Sequence, residues 1–225
     1  MKLDKSVIGL ISLFFGLLAY YLLAIVAIFN YSERFDIYND LWTHLRWFEY
    51  NLEGALFFRI GNVLYALTLA IFFLSASGWQ SAVAERKSSI YLIQTIGISI
   101  AISMIIREVL ADQANIFAIA SGAGLLLTVI ILVGIAFSSW SYPEFWRASI
   151  LFFIISIILS SYLLYMGIID APIQEFRIID FLVTVFNQAS IFAIALNMAK
   201  IQSHNSANTV HIKIEGRSAM QVCSC

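Results

Sequence analysis

The chain has 225 residues, 61% of them hydrophobic and only 12% charged, with two prolines and a net charge of −1. A soluble globular domain carries roughly a quarter charged residues, so this composition excludes that class. No nucleic-acid partner is expected from so even and sparse a charge balance.

Windows of ~20 residues pick out apolar spans at 6–29, 54–77, 90–108, 115–137, 148–169 and 180–199. Each can cross a hydrocarbon core of about 30 Å at about 1.5 Å per residue. Lipid offers the backbone no hydrogen-bond partner, so runs of this length predict helices. The apolarity is continuous rather than alternating, which argues against a β-barrel. The predicted fold is all-α: a polytopic membrane bundle of six transmembrane helices over residues 1–200, with a mobile polar tail over 201–225. The first run, Val7 to Phe29, is too long for a signal-peptide core and ends in no small-x-small site, so it is expected to stay as an anchor.

Charge sorts by side. With the N-terminus inside, the inner segments hold Lys2, Lys5, Arg86, Lys87, Arg147, Lys200, Lys213 and Arg217, and the outer loops hold Arg34, Arg46, Arg107 and Arg177. This is the bias that orients membrane proteins, and it predicts both termini in the cytoplasm. Ten of the fourteen acids fall on the outer side, which makes that face anionic.

The first outer loop, residues 30–53, is the longest connection. Leu41, Leu45, Phe48 and Leu52 recur at helical spacing behind Asn39-Asp40, either of which suits an N-cap. Four aromatics among the charges predict a short helix in the outer interface, serving as a membrane-anchored loop or as a lid. The other loops are short, so consecutive helices should be antiparallel neighbours. In the tail, Cys223-Ser224-Cys225 has the form of a prenylated end, although a further lipid adds little anchoring to six spans.

Membrane chemistry has recognisable signatures, and they are missing. Haem ligation needs a histidine within a span, yet His44 lies in the first loop and His204 and His211 in the tail. No mid-span lysine offers a Schiff base, and Ser99 in Gly97-Ile98-Ser99-Ile100 has no intramembrane histidine to take its proton. No catalytic residue, metal site or cofactor is expected.

Polar residues inside the spans remain. Arg59 lies about one and a half turns into the second span. A charge at the bilayer centre costs ~2.5–3.5 kcal/mol, and less near an edge. Arg59 therefore either pairs with an outer acid such as Glu53, Glu108, Asp112, Asp170 or Asp180, or binds a ligand, with Asn62 on the same face. In the third span Thr95, Ser99, Ser103 and Arg107 recur every four residues, ending beside Glu108. Such a stripe is either helix–helix glue, at ~0.6 kcal/mol per bond, or a polar path. The sixth span adds Thr184, Asn187 and Gln188, and the fifth adds Ser149, Ser156 and Ser160. Ala118/Gly122 and Ala120/Gly124 in the fourth suit close packing. The second, third and sixth spans are thus expected to surround any site, leaving the others to packing and lipid contact.

Asn39-Asp40-Leu41-Trp42 in the first loop and Phe58-Arg59-Ile60-Gly61-Asn62 opening the second span resemble a set of uncharacterised six-span proteins of archaea and bacteria. That set is a domain of unknown function, similar in layout to the damage-regulated autophagy modulator group. Asp40-Leu41 fits the group's first-loop segment, where Trp42 replaces a glycine; Glu108 fits its acid after the third helix, where Asn115 stands near the expected histidine. The resemblance covers most of residues 6–199 and implies the fold without an activity.

Three functions follow as expectations. The chain binds a lipid or partner through its outer half, forms a small transporter or channel, or serves as an accessory subunit of a larger membrane complex. A cysteine introduced into the first loop should react with impermeant thiol reagents from the outer side; labelling from the inner side alone would reverse the orientation.

Overall fold

A computed structural model describes residues 5–31, 35–36, 40, 42–79, 87–111, 113–138, 143–169, 178–197 and 199. The predicted tail, with Cys223 and Cys225, lies outside the described residues. Six helices dominate: α1 (Lys5–Phe29), α2 (Ala55–Leu74), α3 (Lys87–Val109), α4 (Ala114–Ser138), α5 (Pro143–Ile168) and α6 (Ile178–Asn197). No strand occurs among the described residues.

Five segments are long and apolar enough to cross a membrane: Val7–Phe29, Ala55–Ser77, Ile90–Val109, Ile116–Ile135 and Ile178–Asn197. They agree with the predicted spans to within two residues at each end. α5 is as long as the others, with a shorter described apolar stretch at Ile154–Met166. Large apolar side chains such as Phe15, Leu22, Leu52 and Ile119 face outward, as lipid contact allows.

Consecutive helices pack as neighbours, and α1 against α2 is the most extensive pairing. Glycine makes that approach possible. A methyl at Gly16 would collide with Thr68, and one at Gly61 would press on Leu23 and the Tyr20 backbone. Gly97 of α3 leaves room for the Phe73 ring. α6 closes the bundle between α5 and α1. The Ser156 and Ser160 hydroxyls of α5 both donate to Asn187 Oδ1, the latter at 3.0 Å. Ser190 Oγ donates to the Phe152 carbonyl at 2.9 Å, and Tyr21 OH donates to Gln188 Oε1 at 2.6 Å. These bonds give the amides of α6 the partners that lipid cannot provide.

The first loop contains a short 3-10 helix, Trp42–Arg46. Trp42, Leu45 and Arg46 of this turn are all buried in the end of the bundle. Phe48, Tyr50 and Leu52 face outward. The tight turn follows from hydrogen bonds three residues apart, such as Trp47 N–H to the His44 carbonyl at 3.1 Å. Asn51, fully buried, fastens the loop: its amide donates to the Leu45 carbonyl at 3.0 Å and the Ala27 carbonyl at 3.2 Å, and its oxygen accepts from Gly54 N–H at 3.0 Å.

Gly97→Ala should destabilise the bundle by about 1–3 kcal/mol, because the added methyl meets the buried Phe73 ring. Thermal unfolding in mild detergent reads this, and an unchanged melting temperature would remove the α2–α3 contact from the account.

Candidate functional site

Loop and helices enclose a partly open chamber of about 800 Å³. Typical ligand clefts run from about 300 to 1,000 Å³. Its upper wall is polar: Arg46, Asn62, Tyr65, Arg107 and Asp180. The rest of the wall mixes Leu69, Ile100, Met104, Leu125, Leu163 and Ile191 with the polar Ser103, Thr128, Asn187 and Gln188.

The first loop roofs this space. Trp42 donates from Nε1 to Tyr20 OH at 2.6 Å, and its ring packs on Phe58 of α2 and Phe181 of α6, with centroids 5.7 and 4.9 Å away. Trp47 packs edge-on to Phe117 of α4 at 4.9 Å, and His44 stacks on Tyr50 at 4.3 Å. Four helices thus hold one loop by ring contacts or a hydrogen bond.

At the roof's centre is the buried carboxylate of Glu108. Its Oε1 lies 3.3 Å from Arg46 Nη2 and 2.9 Å from Arg107 Nη2, and it also accepts from Arg107 Nε at 3.0 Å. Glu108 and Arg46 are almost fully enclosed, whereas the Arg107 side chain is 21% exposed. Arg46 rests near the faces of Phe58 and Phe117, with Cζ 5.5 and 5.2 Å from the centroids. Burial and the adjacent Arg107 charge lower the Arg46 guanidinium to about 10, against the opposing pull of Glu108 and Asp180. Arg46 therefore remains charged at neutral pH.

The nine residues singled out from sequence are distributed unevenly. Asn62, Ser103, Arg107, Asn187 and Gln188 line the chamber. Glu108 lies behind its wall and anchors the arginines. Arg59 is buried at the same end: its Nε donates to the Arg46 carbonyl at 2.8 Å, and its Cζ lies 4.4 Å from the Phe48 centroid. It supports the loop and does not line the chamber. Asn62 donates to the Phe58 carbonyl at 3.0 Å and accepts weakly from Arg107 Nη2 at 3.4 Å.

Thr95 and Ser99 do not join Ser103 and Arg107 in the chamber. Each donates back to its own helix, to Tyr91 and Thr95 carbonyls at 2.8 and 2.9 Å. The reason is helical geometry: at 3.6 residues per turn a four-residue repeat advances by about 40°, so three steps rotate the stripe by about 120°. Nor is the chamber confined to α2, α3 and α6. α4 contributes Ala120, Gly122, Gly124 and Thr128, and α5 contributes Leu163, Leu164 and Ile168. Small residues on α4 only partly serve close packing, since nothing lies within 4 Å of a Cβ at Gly122, while one at Gly124 would meet Ser103.

Arg46, Tyr20, Trp42 and Tyr65 were not legible as site residues. Arg46 reads in sequence as an outer-loop cation, and only its flanking Leu45 and Trp47 hint at burial. Among the described residues no cluster of three or more histidines, cysteines or acids could hold a metal.

Removing one partner of a buried ion pair costs about 3–5 kcal/mol, because the other charge is stranded. Glu108→Ala should therefore destabilise the protein by about that much and exceed Arg107→Ala, whose side chain reaches solvent or headgroups. Comparable melting temperatures for the two variants would contradict a central role for Glu108. No protein-family model, curated protein or solved structure significantly matches this chain.

Proposed function

We propose that the chain is a six-pass membrane protein with both termini cytoplasmic, and that it binds a lipid-class amphiphile in the chamber beneath the first loop. α5 has 26 residues, enough for a crossing at about 1.5 Å per residue. The excess of inner lysine and arginine supports the orientation, which would set the roof on the outer side.

The observation that carries the binding reading is the chamber itself: about 800 Å³, with Arg46 and Arg107 under the roof and a mostly apolar wall elsewhere that also holds Ser103, Thr128, Asn187 and Gln188. An amphiphile matches that division, with its headgroup at Arg46 and Arg107 and its chain among Leu69, Met104, Leu125 and Leu163. A conduit gains less support, because Thr95 and Ser99 bond within their own helix and leave the lower part of α3 without a polar lining.

Protein purified in mild detergent should carry a retained lipid visible by native mass spectrometry. Gly122→Phe, which adds bulk where a Cβ has no neighbour within 4 Å, should lower lipid occupancy severalfold while the melting temperature holds. A wild-type protein that never retains an amphiphile, or a variant with undiminished occupancy, would defeat the reading.

A further inference from the structure

Arg46 is incompletely satisfied by the fold. Its guanidinium carries five N–H donors in a rigid fork, and only Nη2 meets Glu108. Nε and Nη1 are buried without a hydrogen-bond partner, and the residue is 98% enclosed, being 2% exposed. Phe58 and Phe117 steady the guanidinium, but a ring face offers no oxygen acceptor. Buried charged donors left unpaired are costly, and these belong to a residue that lines the chamber.

Arg46 and Arg107 share one oxygen of Glu108, and Arg59 donates to the Arg46 backbone. Among the described residues, Glu49 and Asp180 are the acids that line the chamber. The Tyr65 hydroxyl, buried and also without a partner, lines the same chamber. Glu108 Oε2 is an orphaned acceptor on the carboxylate that Arg46 already meets, but Glu108 does not line the chamber, so it does not address an occupant. Asp180 does line it, and its charge favours the ionised form of Arg46.

We propose that the roof end of the chamber is an anion subsite, in which Arg46, with Arg107 and Tyr65, receives the carboxylate or phosphate oxygens of an acidic amphiphile. The inference rests on the binding reading above and names its headgroup class. A planar fork with two unused donors suits a two-oxygen anion better than a hydroxyl or a quaternary amine. Burial excludes the competing water that weakens such contacts at a surface.

The test uses the full chain in phosphatidylcholine nanodiscs with four probes: dodecanoate, dodecyl phosphate, neutral dodecyl maltoside and inorganic phosphate. Competition is read by native mass spectrometry. The two acidic chains should bind about tenfold or more tightly than the maltoside, and inorganic phosphate alone should bind far more weakly than dodecyl phosphate. Arg46→Lys retains a cation for Glu108 but removes the fork, and should erase the acidic preference; its melting temperature without probe reports folding. Equal wild-type affinity for acidic and neutral chains would overturn the anion subsite and leave amphiphile binding standing. Inorganic phosphate binding as tightly as dodecyl phosphate would uphold the anion subsite and overturn the amphiphile reading. Binding of no probe would overturn both. A folded Arg46→Lys protein with full acidic preference would overturn the role of Arg46.

Discussion

Glu108 sits where water and lipid are both excluded, and its carboxylate holds two arginines that come from different parts of the chain. Arg107 is its neighbour on α3, whereas Arg46 arrives from the loop between α1 and α2. An enclosed carboxylate without cations would be untenable, and so would an enclosed guanidinium without an anion. The pairing therefore does more than join two side chains. It ties the fold of the loop to the end of α3, and the roof of the chamber exists because that tie is made. Buried ion pairs are often no better for stability than apolar packing of the same shape; here the pair selects one position of the loop among the many that apolar contact alone would tolerate.

The aromatic residues of the loop complete what the ion pair begins. Trp42 reaches Tyr20, Phe58 and Phe181, and Trp47 reaches Phe117. Each ring brings apolar area with a defined geometry, and the indole N–H finds an acceptor in Tyr20. Asn51 then fixes both ends of the loop, since its amide reaches the last turns of α1 and its oxygen meets the start of α2. A segment rich in aromatics and charges would suit a membrane surface equally well; its burial follows from having partners on four helices at once.

Within the spans, polar side chains are satisfied in two ways with different consequences. Thr95 and Ser99 bond to the carbonyls one turn back, so they need no neighbour and tolerate an outward position. Asn187 and Gln188 are met from other helices, by Ser156, Ser160 and Tyr21. The amides consequently position α6 between α5 and α1, and the gap this leaves in the middle of the bundle is the chamber. Its small-residue wall on α4 contributes volume where a larger side chain would have filled it.

The helices and nearly their limits follow from local apolarity alone. A run of some twenty apolar residues in lipid has one economical backbone solution, and it depends on nothing distant. Polar residues that lie on these helices were legible too, which is how Asn62, Ser103, Arg107, Asn187 and Gln188 could be named. What they meet was not legible. Thr95 and Ser103 look equivalent in a four-residue repeat, but the helix rotates between them and only Ser103 faces the chamber. Gly122 looks like a packing residue, yet open space lies beside it because of how α4 is placed in the bundle. Arg46 looks like a surface charge, and the packing of distant helices makes it the centre of the site. Its burial depends on Glu108, sixty-two residues further along the chain, and on rings from two helices. Local periodicity contains no trace of such a contact, because it is decided by which helices come together and by the need of one enclosed charge for another.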